Sequence, residues 1–311
     1  MAAPRSSSPS DVETVPDRTA MDSRRALLAW YRSRPRTFPW RSAEPDPYRV
    51  LVSEVMLQQT QVARVVPAFR EFMRRFPSIR SLAAAQRREV LHAWSGLGYN
   101  RRAVSLSEAA RAIVRDHDGR VPSAPESLRR LPGVGPYTAA AVASLAFGVP
   151  VPALDTNAAR VVARARLGAE PQEVRRETVE VAAAGWLDRG DPGAWNQALM
   201  DLGREVCRPV PRCGKCPLAG SCGFRAKGRE GVPAKRRRSP FPGSIRRVRG
   251  AIILFLRDRT SASVGVLARE IGEPGDRVVE AIETLARDGL VEASGAAMDG
   301  RPGGRVRLSE A

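Results

Sequence analysis

Four cysteines, the only ones in the chain, fall in the spacing Cys207-x5-Cys213-x2-Cys216-x5-Cys222. Thiolates this close in sequence can ligate one metal centre, either a zinc ion or a [4Fe–4S] cluster. Zinc ribbons usually present two Cys-x2-Cys knuckles, and only one is here, which favours iron–sulfur. A redox pair of Cys213 and Cys216 would need a βαβ setting that the flanking residues do not supply. Three further groups could do chemistry. Leu131-Pro132-Gly133-Val134-Gly135 lies between two helical patterns, where glycines let backbone amides approach an anion such as a DNA phosphate. The plain alternative is an ordinary helix–helix connection. Asp155-Thr156-Asn157 precedes a helical pattern, so Asp155 is most simply an N-cap. Glu54 sits among Val50, Leu51, Val52, Val55, Met56 and Leu57. A carboxyl in apolar surroundings holds its proton and can act as a general acid, whereas a lone Glu is more commonly a solvated helix residue. Histidine chemistry has little material, because only His92 and His117 exist.

The elements that must position these residues read as mostly helix. From Tyr48 to Phe76, Val55, Val62, Val66, Phe69, Met73 and Phe76 recur at helical spacing with Arg64, Arg70 and Arg74 between them. Further helices are expected over Ser81–Ser95, Arg102–Asp116, Pro125–Leu131, Tyr137–Phe147, Ala158–Leu167, Pro171–Trp186 and Ala194–Glu205. Pro122, Pro132-Gly133 and Gly148 separate them. Beyond residue 245 the pattern changes to helices Val248–Arg257, Val264–Ile271 and Asp276–Asp288, then a hairpin through Gly304–Leu308. Three helices and a hairpin suit a small winged-helix-like domain. The expected organisation is a disordered N-terminus over 1–22, a helical domain over 23–225, a basic linker over 226–247 and the small domain over 248–311.

Charge narrows the partners. The 311 residues carry 51 Lys and Arg against 33 Asp and Glu, a net +18. Such an excess favours a polyanion. By segment it is −2 over 1–22, +14 over 23–225, +8 over 226–249 and −2 over 250–311. Phosphate contacts are therefore expected from residues 23–249. Asp276–Asp288 adds Glu280 and Glu283 to its terminal acids, which points the tail toward packing or protein contact. No run of 18 apolar residues exists, so no ordinary transmembrane helix and no membrane role are expected. Residues 1–22 lack the apolar core of a secretory signal, and the expected setting is cytoplasmic.

Taken together the motifs resemble a known family. Trp40-Arg41, the run Pro47 to Val62 with Ser53-Glu54-Val55-Met56-Leu57-Gln58-Gln59-Thr60, Trp94-Ser95-Gly96-Leu97-Gly98-Tyr99, the Leu131–Gly135 hairpin, Leu154-Asp155-Thr156-Asn157 and Ala198–Gly203 before the cysteine loop are similar to MutY-type adenine DNA glycosylases. These belong to the helix-hairpin-helix, endonuclease III-like superfamily, and the resemblance covers residues 23–225. It implies a mainly α fold of two helical lobes with a [4Fe–4S] cluster on Cys207, Cys213, Cys216 and Cys222. The implied activity is base excision repair: adenine opposite 8-oxoguanine or guanine is flipped from double-stranded DNA and its N-glycosidic bond hydrolysed. By the same resemblance Glu54 protonates adenine at N7 and Asp155 stabilises the sugar cation, with Asn157 and Tyr137 in support. Trp40 and Arg41 line the base pocket. Gln58, Gln59, Tyr99, Leu131, Gly133, Val134 and Gly135 meet DNA, with Gln59 filling the gap in the stack.

Strand-cutting members of the superfamily carry a nucleophilic lysine where this chain has Tyr137. Its only lysines are Lys215, Lys227 and Lys235, so a monofunctional enzyme is implied; a monomer acting at the nucleoid is expected alongside. Departures from the family pattern are the five residues, instead of six, between Cys207 and Cys213, Asn100 in place of a second tyrosine, and the winged-helix-like tail in place of a Nudix-like domain. Two rivals are a thymine–guanine mismatch glycosylase, against which Gln58-Gln59 argues, and a non-catalytic DNA lesion binder.

Overall fold

The structure, a computed structural model, describes residues 17–34, 37–229 and 244–309. It divides into two compact units, one from 17–34 with 143–229 and one from 37–142 with 244–309. In chain order, α1 (Asp17–Arg32) belongs to the first unit. The second is begun by α2 (Pro47–Leu57), α3 (Val62–Arg75), α4 (Ile79–Ala84), α5 (Arg87–Ala93), α6 (Arg101–Asp116) and α7 (Pro125–Arg129). The chain returns to the first unit within α8 (Pro136–Phe147) and adds α9 (Thr156–Val162), α10 (Arg176–Trp186), α11 (Pro192–Glu205) and α12 (Gly223–Ala226). The second unit is completed by α13 (Ile245–Leu256), β1 (Ala262–Ser263), α14 (Val264–Ile271), α15 (Gly275–Arg287), β2 (Val291–Ala293), α16 (Gly295–Met298) and β3 (Arg305–Leu308). The mainly helical reading therefore holds, and no helix among the described residues is long and apolar enough to cross a membrane.

In the first unit α1 packs on α10 and α11, and α11 on α9. Trp186 and Trp195 meet edge to face at 5.8 Å in its core, among Leu27, Val161, Leu199 and Leu202. The expected disorder over 1–22 is corrected at its end. Residues 1–16 lie outside the described residues, but α1 starts at Asp17 because Ala20 and Ser23 are already buried. Ser23 accepts a hydrogen bond from Trp186 Nε1 at 3.0 Å.

In the second unit α2 is apolar nearly all round, which is the pattern of a fully buried helix. Asp46 caps it by accepting from the Tyr48 and Arg49 amides, and Pro47 occupies the first position, where no amide is needed. The helical run expected from Tyr48 to Phe76 breaks at Gln58–Gln61, between α2 and α3. Periodicity alone carries straight through this break; its cause is a distant arginine, described below.

Residues 230–243 of the expected linker lie outside the described residues, and its last residues are helical, because α13 begins at Ile245. The C-terminal segment has the three expected helices and the strand pair β2–β3, with Val291 opposite Leu308. The two-residue β1 adds a third antiparallel strand, in the order β1-β3-β2, and α16 fills the expected loop. Val306 and Leu308 alternate inward from β3 while Arg305 and Arg307 face out, as a one-sided sheet requires.

Candidate active site

Glu54 stands on α2 and is only 5 % exposed. The Tyr137 hydroxyl donates to Glu54 Oε2 at 2.7 Å. Its neighbour Thr138 offers Oγ1 to Gln58 Nε2 at 3.1 Å. The first turn of α8, which follows directly on the Leu131–Gly135 hairpin, thus grips both the buried carboxyl and the end of α2. Of the hairpin residues, Gly133 and Gly135 are exposed, while the side chains of Leu131 and Val134 are buried anchors. Gly133 has φ 73°, and a Cβ there would sit 2.6 Å from Ser105 Cβ. Both facts demand glycine.

The turn after α2 is fixed by Arg102. Its Nη1 donates to the carbonyls of Val55 at 2.9 Å, Met56 at 3.0 Å and Gln58. Its Nη2 donates to Thr60 Oγ1 at 3.1 Å and the Gly98 carbonyl at 3.2 Å. The guanidinium also lies 5.4 Å from the ring centres of both Trp94 and Tyr99. Burial lowers the Arg102 pKa to about 10, so it stays charged at neutral pH. By satisfying carbonyls that a continuing helix would have used, Arg102 ends α2 and frees Gln59. Gln59 and Tyr99 both take left-handed backbone, φ 55° and 49°. Non-glycine residues pay for that conformation in strain, and such strain collects at functional sites. Gln59 is exposed, and Tyr99 is 44 % exposed.

Trp40 and Arg41 both pack on aromatic neighbours. Trp40 is buried, stacked on Phe38 at 5.2 Å and edge-on to Phe69 at 5.3 Å. Arg41 covers the Phe38 ring at 5.0 Å.

Asp155 belongs to the first unit and caps α9. Its Oδ1 accepts from the Asn157 amide at 2.9 Å and the Ala158 amide at 2.6 Å. Its Oδ2 accepts from Asn157 Nδ2 at 2.8 Å. Asn157 Oδ1 in turn accepts from Arg160 Nη2 at 2.9 Å, and Arg160 Nε donates to the Cys207 carbonyl at 2.8 Å. The cap that the sequence suggests is real, and it also ties Asp155 by hydrogen bonds to the first cysteine.

None of the four cysteines is in a disulfide, and all line one small pocket with Arg164 and Phe224. Burial, with the neighbouring thiols adding to it, pushes Cys216 up to about 12. No three His, Cys, Asp or Glu side chains among the described residues converge on a single-ion site. Arg164 braces the loop between Cys207 and Cys213. It is 1 % exposed, pairs with Glu170 at 2.6 Å and donates to the carbonyls of Arg208 at 2.7 Å and Pro209 at 3.0 Å.

Comparison with known proteins decides the lineage. Residues 52–183 match the family model of the HhH-GPD superfamily base excision DNA repair proteins. An adenine DNA glycosylase of Mycolicibacterium smegmatis is 40 % identical over 280 residues, covering 88 % of this chain and 93 % of the relative. The chain belongs to the adenine DNA glycosylase family. The adenine DNA glycosylase of Mycobacterium tuberculosis is 42 % identical over 286 residues, covering 88 % of this chain and 91 % of its own length. A solved thermostable thymine-DNA glycosylase superposes with a TM-score of 0.63 at 29 % identity, covering 68 % of this chain and 98 % of that one. This adenine DNA glycosylase family member is accordingly a base excision DNA glycosylase with an endonuclease III-like fold.

Sequence reading missed the residues that hold these groups in place: Arg102, Arg160, Arg164 and Gly203. Arginines are numerous in this chain, so nothing local marks the three that turn inward. Gly203 had a signal in its position inside the helical pattern Ala194–Glu205, where glycine is unfavourable unless something approaches it closely.

Proposed function

We propose that this protein hydrolyses the N-glycosidic bond of adenine lying opposite 8-oxoguanine or guanine in double-stranded DNA, without cutting the strand. The observation that carries the reading is the buried Glu54 carboxyl bonded to Tyr137, in a chain of this family. In this reading Glu54 protonates N7 of the everted adenine, which lets the C1′–N9 bond break with the electron pair leaving on the base. The Asp155 carboxylate favours the sugar cation until water adds at C1′ and gives its proton to the Glu54 carboxylate, which restores the acid. Asn157 orients Asp155 through its 2.8 Å bond, and Tyr137 orients Glu54. A phenol at position 137 cannot form the Schiff base that strand cutting in the superfamily requires, which supports monofunctional chemistry. Gln59 and Tyr99, exposed on strained turns, are suited to enter the space left by the base; Gln58 holds α2 to α8. The exposed backbone at Gly133 and Gly135 suits a phosphate.

The cysteine pocket fits a [4Fe–4S] cluster on Cys207, Cys213, Cys216 and Cys222. Four thiols spread around one pocket suit a group with one metal corner per ligand. When bound, such a cluster staples the loop; the reaction steps above use only the chain's own side chains. A broad visible absorbance that disappears on iron removal is the expected signature.

The decisive assay is single-turnover excision on duplexes carrying A:8-oxoguanine, A:G and T:G, followed by alkali. Adenine release from the first two is expected. Glu54→Gln should lower its rate by about 10²–10⁴-fold while duplex binding persists. Release of thymine from T:G alone would transfer the assignment to the mismatch class of the superposed thymine-DNA glycosylase, and an inactive parent that still binds mispairs would leave a lesion binder.

A further inference from the structure

The C-terminal segment is fastened to the helical part of its own unit by charged side chains. Arg87 Nη1 donates to the Gly289 carbonyl at 2.6 Å and to Ser309 Oγ at 3.0 Å. Arg257 donates to Ser95 Oγ at 2.9 Å, and Arg88 Nε to the Arg257 carbonyl at 3.0 Å. This docking sets α13 across from the Gln58–Thr60 turn. Between them lies a cleft of about 910 Å³, with Gln59, Tyr99 and Gly133 on one wall and Arg246 and Arg249 of α13 on the other.

The cleft is strongly cationic. Its lining carries Arg64, Arg101, Arg102, Arg246 and Arg249 against a single acid, Asp288. That acid is shared, because Arg101 reaches it at 2.8 Å and Arg249 bonds its other oxygen. Burial works to raise the Asp288 pKa, but these two guanidiniums outweigh it and hold the carboxyl below its usual range. Arg102 faces backbone carbonyls. Arg64 is exposed and donates to the Gly96 carbonyl. Arg246 is also exposed, no carboxylate pairs with it among the described residues, and its contact is the Tyr99 phenol. Its Nη1 donates to Tyr99 Oη at 3.1 Å, and its guanidinium lies 5.5 Å from the Tyr99 ring centre. Tyr99 is thus contacted by two guanidiniums, Arg102 and Arg246. A guanidinium has five N–H donors; the bond to Tyr99 uses one and leaves a planar edge that matches two phosphate oxygens.

We propose that the C-terminal segment forms a wall of the DNA-binding cleft, and that Arg246 holds a backbone phosphate of the duplex while keeping Tyr99 in place. The proposal rests on the DNA reading above, but its test does not depend on which base is excised. Full-length protein and its variants are titrated with an A:8-oxoguanine duplex and an undamaged duplex, by fluorescence anisotropy, between about 50 and 200 mM salt. Loss of one phosphate contact in Arg246→Gln should reduce the slope of log K against log salt by about 0.9 on both duplexes. Arg246→Lys should restore the slope, because the charge returns. Arg269→Gln, which removes a 73 % exposed cation outside the cleft lining, should leave it unchanged. An Arg246→Gln slope equal to the parent's overturns the proposal, as does an equal loss in Arg269→Gln. If the slope falls as expected but no adenine is excised from any mispair, the cleft assignment stands and the base assignment fails.

Discussion

Gly203 lies in α11, where replacing glycine by alanine would ordinarily add about 1 kcal/mol of helix stability. Here the opposite is expected. A Cβ at 203 would stand 2.7 Å from the Asn157 carbonyl oxygen, 2.8 Å from its Cβ and 2.9 Å from its carbonyl carbon. Two of these three are backbone atoms, which cannot swing aside as a side-chain tip can. Regaining 3.4 Å of ordinary contact from 2.7 Å requires α9 and α11 to part by about 0.7 Å at this point. Overpacking of that kind costs about 1–3 kcal/mol, which cancels or outweighs the helix gain. The displaced residue is Asn157, whose amide holds Asp155 Oδ2 at 2.8 Å. A misplacement approaching 1 Å near the chemistry can cost on the order of 10²-fold in rate. Gly203→Ala should therefore unfold at lower urea and excise adenine at least about tenfold more slowly in single turnover. Asn157→Ala in the same background should add little further rate loss, because the two changes act through one contact. A Gly203→Ala protein that is about 1 kcal/mol more stable than the parent, as helix propensity alone dictates, and fully active would refute the close-approach argument.

Two further outcomes follow from buried and exposed ion pairs in the same unit. Arg164→Gln strands Glu170 and the Arg208 and Pro209 carbonyls, and removing one partner of a buried pair costs about 3–5 kcal/mol; urea denaturation should report a weaker fold, the visible absorbance expected of the proposed cluster should be lost more readily, and unchanged values would show that the loop needs no such brace. Glu173 is held down to about 2 by hydrogen bonds from Arg229 and the Glu170 backbone, so its contribution is present above the ordinary 4.5 and disappears as pH falls toward 2. Melting temperatures between those limits should accordingly fall more steeply in the parent than in Glu173→Gln, and parallel curves would count against the pairing.

What could be read from the sequence was whatever is encoded locally. The helices announce themselves by period, Asp46 and Asp155 by their cap positions, and the C-terminal segment by its three amphipathic stretches before Gly289. What escaped is long-range. The break between α2 and α3 is made by Arg102, more than forty residues away, so the apolar spacing runs through it undisturbed. β1 is two residues long and exists only because β3 passes beside it. The site shows the same division. Glu54 was marked by its apolar neighbours, but its bond to Tyr137 spans 83 positions and only the family resemblance linked the two. The base-pocket expectation for Trp40 rests on that resemblance alone, and its packing against Phe38 and Phe69 had no local signal either.

Segment charge left the individual carriers unplaced for a related reason. The +8 of residues 226–249 read as linker charge and the −2 of 250–311 as a repulsive tail. Yet Arg246, Arg247 and Arg249 ride on α13, the first helix of the tail itself. Arg247 bonds Glu273, and Arg249 and Arg101 share Asp288. Glu273 is additionally met by Arg277 at 3.1 Å. Asp288, one of the acids that made the tail look unfit for phosphate, and Glu273 just ahead of that helix are therefore neutralised by the chain's own arginines. The charge that matters to a polyanion is the one left over after such pairing, at the place where it is exposed. On that criterion Arg249 is spent in packing while Arg246, three residues earlier and nearly a full helical turn away, still faces the cleft.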